Sequence, residues 1–148
     1  MAMTFFVING PNLNLLGIRE PTIYGTTTYR EVMDKMLTHA TELGVELVFF
    51  HSNHEGDLID EIQAAYFAEA DGIILNAGGY THTSVALYDA LKAVGLPTIE
   101  LHISNPDARE DFRKQNFIRA ACIETIAGQG TDGYLYAIDA LLSHLKGK

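Results

Sequence analysis

Two hydrophobic periods alternate along this chain. Short unbroken apolar runs at 4–8, 45–50, 72–75, 98–101 and 123–127 have the length of buried strands. Between them apolar residues recur every three or four positions over 29–43, 57–68, 84–94, 106–116 and 132–145, which predicts helices. Val32, Met36, Ala40 and Leu43 form one such stripe; Leu135, Ile138, Leu142 and Leu145 form another. Thr28 with Glu31, and Ser52 with Glu55, have the spacing of capping boxes, which satisfy the free N–H groups of a helix start. Asn105 before Pro106 is a third helix-start signal. Five β-α units predict a parallel sheet, and right-handed crossovers place helices on both faces. The expected architecture is α/β, a flavodoxin-like doubly wound five-stranded sheet. Ligands of such sheets sit beyond the carboxyl ends of the strands. That singles out the segment after the first strand, Asn76 and 78–82 after the third, and 102–105 after the fourth.

One segment fits neither period. Residues 9–25 read Asn-Gly-Pro-Asn-Leu-Asn-Leu-Leu-Gly-Ile-Arg-Glu-Pro-Thr-Ile-Tyr-Gly. Loops of this length in a compact domain are usually lids or binding loops. Gly10, Gly17 and Gly25 offer hinge freedom. Arg19 stands five positions before Tyr24, and a cation near a phenol helps it act as a base.

Composition narrows the partners. With 148 residues, 47% of them apolar, the chain is expected to form one domain, 1–148, around a single core. A net charge of −9 argues against nucleic acid and anionic membranes. No apolar run is long enough to span a bilayer, and the first residues do not read as a signal peptide. The one cysteine, Cys122, excludes an internal disulfide and lies in an apolar stretch, as a buried small hydrophobe would. A cytoplasmic location fits these features.

Several motifs invite chemistry. Gly128-Gln-Gly-Thr-Asp-Gly133 matches G-x-G-x-x-G after a strand and before a helix, but no ribose-binding acid follows before the end at Lys148. Glycine-permitted turning and close helix packing explain it better than a dinucleotide. His51, His54, Glu55 and Asp57 cluster, yet match no standard zinc spacing, and no metal is expected. His39 and His144 fall on predicted helix surfaces. His82 stands beside a helix start whose N–H groups suit a polar ligand. Glu100 and His102 share one face of a strand, so the carboxylate can orient the imidazole and raise its basicity. Ser104 then opens a predicted helix, a ready anion site, with Arg109 and Arg113 one turn apart on it.

These segments together resemble the type II 3-dehydroquinate dehydratases. The resemblance rests on Asn9-Gly-Pro-Asn-Leu-Asn-Leu-Leu-Gly17, Arg19-Glu-Pro, Tyr24-Gly, Ser52-Asn-His-Glu-Gly56, Asn76, Tyr80-Thr-His-Thr-Ser-Val-Ala-Leu87, Glu100-Leu-His-Ile-Ser-Asn105, Arg109-Glu and Phe112-Arg113, nearly end to end. Departures are Ala77, where many relatives have proline, and Tyr88, where several have arginine. The resemblance implies dehydration of 3-dehydroquinate to 3-dehydroshikimate, no cofactor, and a homododecamer built as a tetramer of trimers. It implies Tyr24 as base, Arg19 as its activator, and Asn12 holding a water that stabilises an enolate. It implies His102 as general acid supported by Glu100, and Ser104 with the Ile103 N–H as carboxylate site. Asn76, His82 and Arg113 would hold ring hydroxyls, and Asp89 would reach a neighbouring subunit's site.

Magnitudes bear on that chemistry. A free phenol has a pKa near ~10, and each unit of depression requires about 1.4 kcal/mol. A cation about 4 Å away supplies roughly 1 kcal/mol in bulk water but roughly 4 at an effective dielectric of ~20. Arg19 is therefore sufficient only when closure of the 9–25 segment excludes water, and Arg109 is expected as a second positive charge near Tyr24. Hydroxide is a poor leaving group, hence a positioned acid. Lys35, Lys92, Lys114, Lys146 and Lys148 sit outside the motif segments, and an imine needs a desolvated lysine. Two other readings share the fold: a flavin- or phosphate-binding module without turnover, and a different dehydratase or isomerase with the same base. Asn9, Asn12 and Asn14 stand where a phosphate-accepting module would carry acids.

Overall fold

The computed structural model describes residues 2–147. Its centre is a sheet of five parallel strands: β1 (Met3–Asn9), β2 (Val45–His51), β3 (Gly72–Asn76), β4 (Thr98–His102) and β5 (Glu124–Ala127). Their order is β2-β1-β3-β4-β5, the flavodoxin-like doubly wound order. It reverses direction between β1 and β3, so the loops that follow these two strands diverge and leave a crevice.

Strand β1 is apolar on both faces because both faces are covered. Phe5 and Val7 enter one core cluster with Val32, Met36, Tyr134 and Ile138. Phe6 and Ile8 enter the other with Leu58, Ile62, Leu87 and Leu91. The helices are α1 (Pro21–Tyr24), α2 (Tyr29–Glu42), α3 (Glu55–Phe67), α4 (Val85–Val94) and α5 (Gly133–Lys146). Helices α2 and α5 cover the first face, α3 and α4 the second. The Thr28–Glu31 capping box forms, with Glu31 N–H donating to Thr28 Oγ1 at 3.2 Å and Thr28 N–H to Glu31 Oε1 at 3.1 Å.

Three local expectations are corrected. No helix spans 106–116; two short 3-10 turns, Pro106–Ala108 and Asp111–Lys114, take its place. Asn105 does cap the first of them, but Arg109 leaves it in extended backbone, so the helix stops. Ser52 does not pair with Glu55: its hydroxyl donates to Asp57 at 2.7 Å and accepts from the His54 N–H at 3.0 Å. The segment 9–25 is partly ordered, with a 3-10 turn at Leu13–Leu15 and helix α1. Within it Gly17 and Gly25 have left-handed φ of 88° and 81°, whereas Gly10 is required for proximity. A Cβ on Gly10 would meet the Ala77 carbonyl oxygen at 2.6 Å, where β1 and β3 run side by side.

Cys122 is partly buried against the second cluster, and its thiol donates to the Ile118 carbonyl at 3.3 Å. Burial, with the Glu100 charge, pushes that thiol up to about 12. No helix among the described residues is long and apolar enough to cross a membrane.

Candidate active site

A cleft opens at the carboxyl ends of β1, β3 and β4. Tyr24 and Arg19 line it from the 9–25 segment, Asn76 and His82 from the end of β3 and the turn after it. His102, Ile103, Ser104, Arg109 and Arg113 line it from β4 and the turns that follow. Most of the residues singled out in the sequence therefore converge on one wall of the sheet. Asn12 is exposed and does not itself line the cleft, although Leu13 beside it does; Glu100 lies wholly buried behind His102, and Asp89 is exposed on α4 outside the cleft.

Tyr24 is 8% exposed, its ring part of the first core cluster. Two guanidinium groups approach it. Arg109 donates to the phenol oxygen at 2.5 Å, with its carbon 5.3 Å from the ring centroid. Arg19 lies over the ring face at 4.4 Å. The direct contact thus comes from Arg109, and Arg19 acts through the ring face. Glu20 lies 3.6 Å from Arg19 and 3.8 Å from Arg109, gathering both cations at the mouth. Arg109 also donates to Ser104 Oγ at 3.4 Å. The pair is already assembled in this structure, so closure is not needed to bring it together.

His102 Nε2 sits 2.6 Å from Glu100 Oε2. Burial pushes the Glu100 carboxyl up, but hydrogen bonds from His102, Thr125 and Asn116 and the His102 charge outweigh it and hold the group at about 2. Glu100 is therefore an acceptor only, and His102 Nε2 must donate to it. That leaves Nδ1 as the nitrogen available to a ligand. Glu100 Oε1 also accepts from Thr125 at 2.6 Å and Arg119 at 3.0 Å, and Oε2 accepts from Asn116. Four donors surround one carboxylate. Sequence reading missed three of them; only Thr125 had a signal, since β5 places it directly opposite Glu100.

His82 Nδ1 donates to the Gln115 carbonyl at 2.7 Å. Burial pushes its pKa down, and the hydrogen bond to the Gln115 carbonyl opposes this. Arg113 is held by Glu110 at 2.6 Å. Asn76 donates to the Tyr134 hydroxyl at 3.1 Å and accepts from the Gly78 N–H at 3.2 Å, while that hydroxyl donates to Asn9. Tyr134 is fully buried, which pushes its pKa up. Tyr134 and Asn9 thus fix the orientation of the Asn76 amide from beneath, a support the sequence did not reveal.

The helix N-terminus expected after Ser104 does not form. The Asp107 N–H bonds Asn105 Oδ1, and the Ala108 and Arg109 N–H groups bond carbonyls of their own turn. The glycine-rich motif supports the neighbouring segment instead. Gly128 and Gly130, at φ 76° and 64°, donate their N–H groups to the Ser104 and Ile103 carbonyls at 3.1 Å each. A Cβ on Gly133 would come within 3.0 Å of Leu101, so that glycine allows α5 to pack close.

The His51 cluster is dispersed. The His51 ring packs edge-on against Tyr29, and Asp57 is held by Ser52. Among the described residues no three His, Cys, Asp or Glu side chains gather as metal ligands. His39 pairs with Asp139 at 2.7 Å on the surface. Lys35, Lys92, Lys114 and Lys146 are exposed, and Lys148 lies outside the described residues.

Comparisons agree on one relationship. The family model for class II dehydroquinase matches residues 3–142. A Caldicellulosiruptor bescii protein named 3-dehydroquinate dehydratase is 56% identical over 135 residues, 91% of this chain and 93% of its own length. One from Clostridium perfringens with the same name is 51% identical over 146 residues, covering 99% of this chain and 100% of the relative. The crystal structure of type II dehydroquinase from Butyrivibrio crossotus superposes with a TM-score of 0.94 at 46% identity, over 95% of this chain and 98% of that one.

Proposed function

The chain belongs to the class II dehydroquinase family, and we propose that it dehydrates 3-dehydroquinate to 3-dehydroshikimate by anti elimination through an enolate. As a hydro-lyase it must remove a proton beside a ketone and expel hydroxide from the adjacent carbon. The observation that carries the assignment of roles is the presence of two prepared groups in one cleft: Tyr24 beneath two guanidiniums, and His102 backed by a saturated carboxylate.

Tyr24, as phenolate, takes the proton. Arg109 at the oxygen and Arg19 over the ring neutralise the charge in a site largely closed to water, where such terms are strongest. Asn12, with a water, stabilises the enolate oxygen. His102 Nδ1 protonates the departing hydroxyl while Glu100 holds the imidazolium in place. Ser104 and the Ile103 N–H take the substrate carboxylate, and Asn76, His82 and Arg113 take the ring hydroxyls. No lysine is used, since those described are exposed and away from the cleft. Asp89, outside its own chain's cleft, serves a neighbour's site in a homododecamer, a tetramer of trimers; light scattering tests the mass. The enzyme works without a cofactor, in the cytoplasm.

The decisive assay follows the conjugated enone absorbance on adding 3-dehydroquinate to purified enzyme. Absorbance rises with enzyme alone. A protein that leaves dehydroquinate unchanged, or is yellow with bound flavin, overturns the reading.

A further inference from the structure

Asn53 lies in the exposed turn between β2 and α3, outside the cleft and both core clusters. It nevertheless joins two of the loops that build the cleft. Its Oδ1 accepts the backbone N–H of Asn12 at 2.9 Å, and its carbonyl accepts the Tyr80 hydroxyl at 3.2 Å. Asn12 belongs to the segment after β1; Tyr80 belongs to the turn Gly78–His82 after β3, which carries His82. The three contributing strands, β2, β1 and β3, are sheet neighbours, so their loops emerge side by side.

Asn12 needs such support. It is a non-glycine residue in the left-handed region, φ 71° and ψ −2°, and its own side chain makes no capping hydrogen bond there. Conformations of this kind persist only where the surroundings hold them. The Asn53 side chain is the group that grips the Asn12 N–H, and the next residue, Leu13, is buried and lines the cleft. The backbone at Asn12 is thus held from a third loop.

We propose that Asn53 is a positioning residue: its side-chain oxygen holds Asn12 in the left-handed conformation that aims the Asn12 amide at the enolate, and its carbonyl ties that loop to the turn bearing His82. The inference rests on the enolate role given to Asn12 above. A loose fit at such a site slows chemistry more than it weakens binding.

The test compares Asn53→Ala, Asn12→Gly and the double variant on 3-dehydroquinate, with thermal melts alongside. Glycine accepts the left-handed backbone at position 12 while removing the amide. Asn53→Ala should lower kcat by about tenfold, leave KM within about twofold, and leave the thermal midpoint essentially unchanged. On the Asn12→Gly background it should cause no further loss. Normal kcat in Asn53→Ala beside a crippled Asn12→Gly removes this inference alone. Normal kcat in Asn12→Gly removes the enolate role and with it the route proposed here. An undiminished Asn53→Ala effect on the double variant, or a kcat loss that tracks a fall in melting temperature, also overturns it.

Discussion

The two sides of the cleft are built in opposite ways. The His102 side grows from the end of a central strand, and its supporting carboxylate is wholly buried with four donors around it. The Tyr24 side rides on a loop with a four-residue helix and two non-glycine residues at positive φ, Asn12 and Glu20. Its phenol is held by cations from two separate segments. On the route proposed above, the proton donor is fixed by a central strand, whereas the base is carried by a loop and held by side chains from two segments. The same asymmetry divides stability from function. Changes behind His102 should therefore disturb folding and chemistry together, whereas removing the Tyr24 hydroxyl should act on chemistry almost alone.

Removing the phenol hydroxyl tests that division most sharply. Tyr24→Phe keeps the ring in the core, so melting temperature and substrate affinity should stay close to wild type while kcat falls about a thousandfold. A variant that turns over normally would dismiss Tyr24 as base.

The group behind His102 should behave otherwise. In Glu100→Gln an amide N–H₂ must face donors, so stability should drop by about 3 kcal/mol as activity drops, read by denaturant melts. The pH dependence follows from the depressed carboxyl. The contribution of Glu100 is fully present above its ordinary 4.5 and is lost as pH falls toward about 2. The glutamine variant should lack that slope; an equal acid sensitivity in both proteins would assign it elsewhere.

Smaller effects separate the two cations. Arg109→Gln should cost about a hundredfold in kcat and Arg19→Gln about tenfold, because Arg109 reaches the oxygen and Arg19 only the ring face. A reversed ranking would mean that substrate redistributes the pair. The smallest expected effect is on encounter. The chain carries −9 overall, so attraction of an anionic substrate is local; raising salt from about 0.05 to 0.5 M should change kcat/KM by less than about threefold. A steep fall would show long-range steering.

Much of this is legible in the sequence. The strand and helix periods, the Thr28–Glu31 box and the Glu100–His102 pair all depend on neighbours within four residues, where backbone geometry alone dictates who meets whom. The helix expected over 106–116 failed for the complementary reason: local signals started it at Asn105, but the chain turns out after Ala108 and carries Arg109 toward Tyr24. Contacts of that kind have no period to betray them. Tyr134 reaches Asn9 across 125 positions and Asn53 reaches Asn12 across 41, neither of them expected, whereas the Arg109 contact with Tyr24 across 85 is expected from the motifs taken together. By itself the sequence determined the elements, the face each buries, and the kinds of side chain available for chemistry. Only the tertiary structure decided which of them touch, because sheet order and crossover handedness, not spacing along the chain, bring distant loops to the same strand ends.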